Sequence, residues 1–323
     1  MLTANGYPLA QAPDRLGALE EANSLIDNPT GLRDSMQANG YLFIRGLIPR
    51  KWVMDARLEV LQKFAILGEI DDRHPIADAI AGDRGGVASA NLRAFSKSVR
   101  SGREYLRVTN APQIVAVHEA LLEGEVRSFD FRWPRLVRPH EGCGFHCDGP
   151  YMARGTSTAR IFTSWIPLGD VAQENGALLL LENSHRTQDQ HSGYLAADAD
   201  QDGLTWMTDD PVKLQDQLGG RWLTADFTAG DVLFFGMHMV HGSLDNRSAN
   251  GACRLSSDTR YQRADEPADH RWNGEENGEV LAHGGQRVFY PGLGRWRNAD
   301  FADEWKHVDE FGRIIFPGET DDA

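Results

Sequence analysis

Two stretches decide the reading: Gly144-Phe145-His146-Cys147-Asp148, and Gly230-Asp231-Val232-Leu233-Phe234-Phe235-Gly236-Met237-His238-Met239-Val240-His241-Gly242-Ser243. On an extended strand, residues two apart face the same side. His146 and Asp148 can therefore aim an imidazole and a carboxylate at one point, with the Cys147 side chain pointing away. The apolar run at 232–235 has the length of a buried strand and delivers histidines to its end. His238 and His241 are three apart, so on a continuous strand they face opposite sides. Only one of them can join His146 and Asp148. Two histidines and one carboxylate suit non-haem Fe(II) with open positions, and they also suit zinc. Alone, each piece has a blander explanation: HxD is common on surfaces, and paired histidines at a strand end can be structural.

A third stretch follows, Arg254-Leu255-Ser256-Ser257-Asp258-Thr259-Arg260-Tyr261-Gln262. Alternation puts Arg254, Ser256, Asp258 and Arg260 on one face and Leu255, Ser257, Thr259 and Tyr261 on the other. An Arg with a Ser two residues on suits a carboxylate, with a planar fork of donors and a hydroxyl on one face.

Outward from these stretches, β-patterned runs at 126–138, 158–166, 176–181, 221–227, 231–236 and 252–262 are punctuated by Gly, Asn, Asp and Pro. Such a series predicts a sandwich or barrel. The first half reads differently. Residues 30–40 predict a short helix stopped by Gly40, and 41–45 a strand. Pro49 opens an amphipathic helix that Gly68 closes, with Trp52, Val53, Ala56, Val60, Phe64 and Leu67 at helical spacing. Another helix is expected from Pro112 to Gly124. The first 30 residues read as a loose wrap, and residues 69–105 as a long excursion without a period.

Composition narrows the function classes. The chain has 323 residues, with 33 Lys plus Arg against 47 Asp plus Glu, a formal charge of −14. That balance disfavours nucleic-acid binding, which depends on neutralising phosphates, and docking on anionic lipid. No apolar run approaches a membrane span. The opening MLTANGYPLAQAPDR lacks the marks of a secretory leader. Cys143, Cys147 and Cys253 are too few for a disulfide framework, so a reducing, cytoplasmic setting is expected.

The order HxD, distal His, then Arg resembles the Fe(II)/2-oxoglutarate dioxygenases, and within them the phytanoyl-CoA dioxygenase family. Asn39-Gly40-Tyr41-Leu42-Phe43-Ile44-Arg45-Gly46-Leu47-Ile48-Pro49 is similar to that family's opening segment. Thr163-Ser164-Trp165-Ile166-Pro167-Leu168-Gly169-Asp170-Val171, Glu174-Asn175-Gly176-Ala177-Leu178 and Asn183-Ser184-His185 resemble its central strands. The resemblance runs from about residue 30 to about 265. It implies a mainly β fold with N-terminal helices and a double-stranded β-helix core, jelly-roll and cupin-like. We expect one domain over 1–323: a helical part at about 30–124, the jelly-roll core at about 125–265, and a C-terminal extension at 266–323.

Position by position, the resemblance implies His146, Asp148 and His241 as iron ligands, His241 because the family's distal ligand sits in a His-Gly-Ser turn. It implies that Arg254, helped by Ser243, clamps the far carboxylate of 2-oxoglutarate, with Trp165 and Thr163 lining that site. An Asp at 148 speaks against the halogenase variants. The implied cofactors are Fe(II), 2-oxoglutarate and O2. The implied reaction is oxidation of a C–H bond of a small molecule, with release of succinate and CO2. No acid or base residue is required for that step. Interior-facing Arg132, Asp258 and Arg260 are candidates for binding an anionic substrate. Two alternatives remain at this point, a non-enzymatic cupin-like binding protein and a zinc hydrolase.

Overall fold

In the computed structural model, residues 1–84, 92–152, 160–198, 206–269 and 272–273 are described. So are four short C-terminal strands, Arg287–Tyr290 paired with Arg295–Asn298 and His307–Val308 paired with Ile314–Ile315. Most of the C-terminal extension thus lies outside the described residues.

Among the described residues, five α-helices lie between Pro29 and Leu122. They are α1 (Pro29–Asn39), α2 (Arg50–Ile66), α3 (Leu92–Arg100), α4 (Arg103–Thr109) and α5 (Pro112–Leu122). Helix α1 starts where the Asn28 side chain accepts from the Gly31 N–H at 3.0 Å, with Pro29 in the first turn. It stops at Gly40, which takes a left-handed φ of 76°. That glycine is doubly required, because a Cβ there would collide with Met239 and His185. Helix α3 and the first residues of α4 lie inside the stretch expected to be irregular. Their short length, and the Gly, Asp and Arg around them, hid the helical period from a reading of 69–105 as one unit.

Ten strands form the two large sheets: β1 (Leu16–Ala18), β2 (Tyr41–Ile44), β3 (Val126–Ser128), β4 (Trp133–Val137), β5 (Ile161–Pro167), β6 (Leu178–Leu181), β7 (Trp222–Thr224), β8 (Val232–Gly236), β9 (His241–Ser243) and β10 (Arg254–Arg263). The major sheet runs β2-β8-β5-β10-β3, with β4 also paired to β10. The minor sheet runs β9-β6-β7-β1. The two sheets are not closed into a barrel. Alternation sorts the side chains into two apolar layers. Val232 and Phe234 of β8 join Leu255, Tyr261 and the helix residues Val53, Val60 and Phe64 on the outer face. Leu233 and Phe235 join Trp165, Leu179, Leu181 and Leu223 between the sheets. No helix among the described residues is long and apolar enough to cross a membrane.

Two expectations change. The first 30 residues are not a loose wrap, because β1 pairs parallel with β7 and Ala4 and Leu9 are buried. The run at 126–138 is not one strand. It breaks between β3 and β4, where the Asp130 and Phe131 N–H groups turn to the Trp272 carbonyl at 2.9 and 3.1 Å.

Asp231 anchors the turn that launches β8. Its fully buried carboxylate accepts from the backbone N–H of Gly46 (2.9 Å) and Thr228 (2.8 Å), the Thr228 hydroxyl (3.0 Å) and Arg45 Nη1 (2.9 Å). Asp231→Ala would leave those donors unmatched and is expected to cost about 3 kcal/mol. A urea unfolding midpoint unchanged from the parent would contradict this account.

Candidate metal and cosubstrate site

His146 and His241 meet because they are cross-strand neighbours. Each backbone N–H donates to the other's carbonyl at 2.9 Å, an antiparallel bridge that continues the minor sheet beyond β9. Residues paired in this way project from the same face. Their ring centroids lie 4.3 Å apart. Asp148, two residues after His146, brings Oδ1 to 3.8 Å from each imidazole Nε2. These three residues, all buried, form a cluster whose ligand atoms lie within 4.8 Å of one another.

His238 stays out of the cluster, for a reason other than strand parity. The chain leaves the major sheet at Gly236 and enters the minor sheet at His241. His238 sits in the crossing between them. Cys147 also points away, with Sγ 3.9 Å from His191 Nε2 and 3.5 Å from the His238 carbonyl.

The backbone sets the donor atoms. Nδ1 of His146 lies 2.9 Å from the Gly144 carbonyl, and Nδ1 of His241 lies 2.9 Å from the Met239 carbonyl. A carbonyl only accepts, so each Nδ1 carries the proton and each Nε2 offers a lone pair to the cluster. Burial and the neighbouring His241 pull the His146 imidazole down to about 3, and burial lowers His241 too. Burial opposes the charge of Asp148, but Arg260 and the two imidazoles outweigh it and hold the carboxyl below its ordinary range. Two neutral imidazoles and one carboxylate on a common face are the donor set that Fe(II) takes with open positions.

Arg254 lies on β10 with 3% of its surface exposed. Its Nε donates to the Gly176 carbonyl at 3.1 Å and its Nη1 to Ser256 Oγ at 2.6 Å. No carboxylate forms an ion pair with it among the described residues. Burial pushes the guanidinium down to about 10, which leaves it charged at neutral pH. An unmatched buried cation is costly. Trp165 lies under it, 5.9 Å from ring centroid to guanidinium carbon, and its own buried Nε1 is unpartnered. Ser243 is buried and accepts from the Cys143 N–H at 2.8 Å, so its hydroxyl proton remains available to donate. The Ser248–Gly251 turn, closed by Gly251 at a φ of 81°, absorbs the long step from His241 to Arg254. These residues fit a dicarboxylate cosubstrate beside a divalent metal.

Residues 36–254 match the phytanoyl-CoA dioxygenase (PhyH) family. This chain belongs to that family. As a PhyH-family protein it is an Fe(II)- and 2-oxoglutarate-dependent oxygenase that consumes O2, from a family acting on small molecules. A curated relative, the 1-deoxypentalenic acid 11-beta-hydroxylase of Streptomyces exfoliatus, is 24% identical over 78% of this chain and 87% of its own length. Among solved structures, the 2-oxoglutarate-dependent carbocyclase SnoK of nogalamycin biosynthesis has a TM-score of 0.51 at 17% identity, covering 81% of this chain and 92% of that one. The epimerase SnoN of the same biosynthesis has a TM-score of 0.50 at 18% identity, covering 75% of this chain and 85% of that one. At such identities these two likenesses speak for the PhyH-type jelly-roll fold alone.

The three expected substrate residues are placed differently. Arg132 turns away from the cluster and donates to the Asp130 carbonyl (3.0 Å), Asn110 Oδ1 (3.0 Å) and Ser128 Oγ (2.9 Å). Asp258 accepts from Arg135 Nε at 2.6 Å. Arg260 has no exposed surface and lies behind Asp148, with Nη2 2.8 Å from Asp148 Oδ2. Thr163 likewise points at Asp148, its hydroxyl donating to Oδ2 at 2.7 Å.

Register gives Arg135 its place, because β4 sets it opposite Ser256 beside Asp258. One residue near the site escaped the sequence reading. Tyr151, in the one-turn helix Gly149–Met152, sets its ring edge-on to His146 at 5.8 Å. It follows the HxD directly, which is the signal that could have found it.

Proposed function

We propose that this chain hydroxylates a C–H bond of an apolar small molecule. In this reading His146, Asp148 and His241 hold Fe(II), and Arg254 with Ser243 holds the far carboxylate of 2-oxoglutarate. One observation carries the reading: among the described residues Arg254 is a buried guanidinium without a carboxylate ion-pair partner, on the same sheet face as Asp258 and Arg260, which leads to the His-Asp-His cluster. Iron with its cosubstrate supplies oxygen activation, coupled to loss of CO2 and formation of succinate.

The chain's own residues bind, orient and exclude water. The carbonyls of Gly144 and Met239 orient the two imidazoles. The turn joining β8 to β9 brings Met237 into a buried cluster with Phe131, Trp133, Tyr151 and Met152. An apolar wall of this kind beside His146 suits a substrate with a hydrocarbon body. The curated relative is named for hydroxylating an acid, which supports hydroxylation as the outcome. The helices and the major sheet share one apolar layer, which supports reading the helical part and the core together within the one domain expected over 1–323.

The test incubates the purified chain with Fe(II), 2-oxoglutarate and a series of apolar carboxylic acids and their methyl esters. Oxygen uptake and succinate should rise together, one for one, with an accepted substrate, and both should stop when Fe(II) is withheld. Substrate oxidation without succinate would refute the reading.

A further inference from the structure

We propose that Thr163 and Arg260 act together as positioning residues that select which oxygen of Asp148 faces the metal. The inference rests on reading His146, Asp148 and His241 as the metal site. Thr163 on β5 and Arg260 on β10 are direct register partners in the major sheet. They therefore stand side by side on one face. Both donate to the same atom, Asp148 Oδ2, at 2.7 and 2.8 Å. Oδ1 is left to face the two imidazole nitrogens, 3.8 Å from each. The major sheet thus grips the carboxylate from behind, while the minor sheet and its extension supply the histidines.

The burial of Arg260 shows that this grip is its task. It has no surface open to a ligand. Its Nε and Nη1 are buried without hydrogen-bond partners, and the nearest compensation is the Trp133 ring at 4.3 Å and Asp258 at 3.7 Å. Burying a guanidinium so incompletely is costly unless its remaining contact matters. That contact is Oδ2 of Asp148. A carboxylate with one oxygen occupied by two donors can give the metal only its other oxygen. One-oxygen ligation by Asp148 would leave room beside a bound ion for a bidentate cosubstrate. Partners behind a ligand commonly change metal affinity by 10- to 100-fold.

The test titrates Co(II) alone into the full-length protein and follows its visible absorption, which reports the coordination of the ion. Thr163→Val keeps the shape of the side chain and removes the donor. It should weaken Co(II) about tenfold and alter the visible band, while Thr163→Ser restores both. Arg260→Gln should weaken Co(II) by about 10- to 100-fold. Asp148→Ala is the reference. If it leaves Co(II) binding intact, the metal site itself is misassigned. If Asp148→Ala abolishes binding while Thr163→Val matches the parent in affinity and band, the clamp is refuted and the site stands. Equal weakening by Val and Ser also refutes it, because packing and not the hydroxyl would then be responsible.

Discussion

His241→Ala abolishes stoichiometric iron binding, whereas His238→Ala keeps one ion per chain: this is the largest effect expected from the site. His241 is bridged to His146 through two backbone hydrogen bonds, and its Nε2 lies 3.8 Å from Asp148 Oδ1. On the proposed assignment, removing an imidazole from the three-residue set would take away a direct ligand. The loss should exceed the 10- to 100-fold typical of partners behind a ligand. His146→Ala and Asp148→Ala should match His241→Ala. His238 lies in the crossing between the sheets and is only half buried, so its loss leaves all three donors in place. Metal analysis of the four purified variants decides the matter. Iron retained by His241→Ala and lost by His238→Ala would reverse the ligand assignment.

Arg254→Leu is expected to weaken 2-oxoglutarate by roughly 10- to 150-fold while Fe(II) binding persists. A hydrogen-bonded contact between buried charges contributes about 1.5–3 kcal/mol, and each 1.4 kcal/mol is tenfold. Leucine fills part of the space and removes a buried charge that no carboxylate pairs with directly among the described residues. The variant should fold, because Arg254 has no carboxylate partner to orphan and gives up two hydrogen bonds, to Gly176 and Ser256. Titration of the Fe(II)-loaded protein with 2-oxoglutarate under argon, followed by its visible charge-transfer band, separates the two ligands. Unchanged affinity would move the carboxylate clamp to another cation, with Arg135 the nearest candidate in register.

Local chemistry made much of the fold legible. Gly40 ends α1 within the sequence itself, and the period of Val53, Ala56, Val60 and Phe64 marks the buried face of α2. Helices α3 and α4 were missed because each is too short to display several turns of period against Gly- and Arg-rich flanks. Strand β1 was missed because three residues, Leu16, Gly17 and Ala18, carry no alternation to read. Its parallel pairing with β7 depends on a partner about 200 positions away.

By itself the sequence determined what strand alternation determines: that His146 and Asp148 share a face, that Cys147 does not, and that Arg254 and Ser256 stand together on theirs. Alternation left open which distal histidine joins them; resemblance pointed to His241, and the tertiary structure brings it there. The answer turns on the chain changing sheets between Gly236 and His241, and the backbone bonds that fix that change come from residues far away. It also decided that Arg260 backs Asp148 and offers no charge to a ligand, and that Arg132 turns toward Asn110. The physical reason is one of range. A period of two is written in neighbouring residues, whereas register, sheet switching and the depth of a side chain are set by hydrogen bonds and packing between segments that meet only in the folded chain.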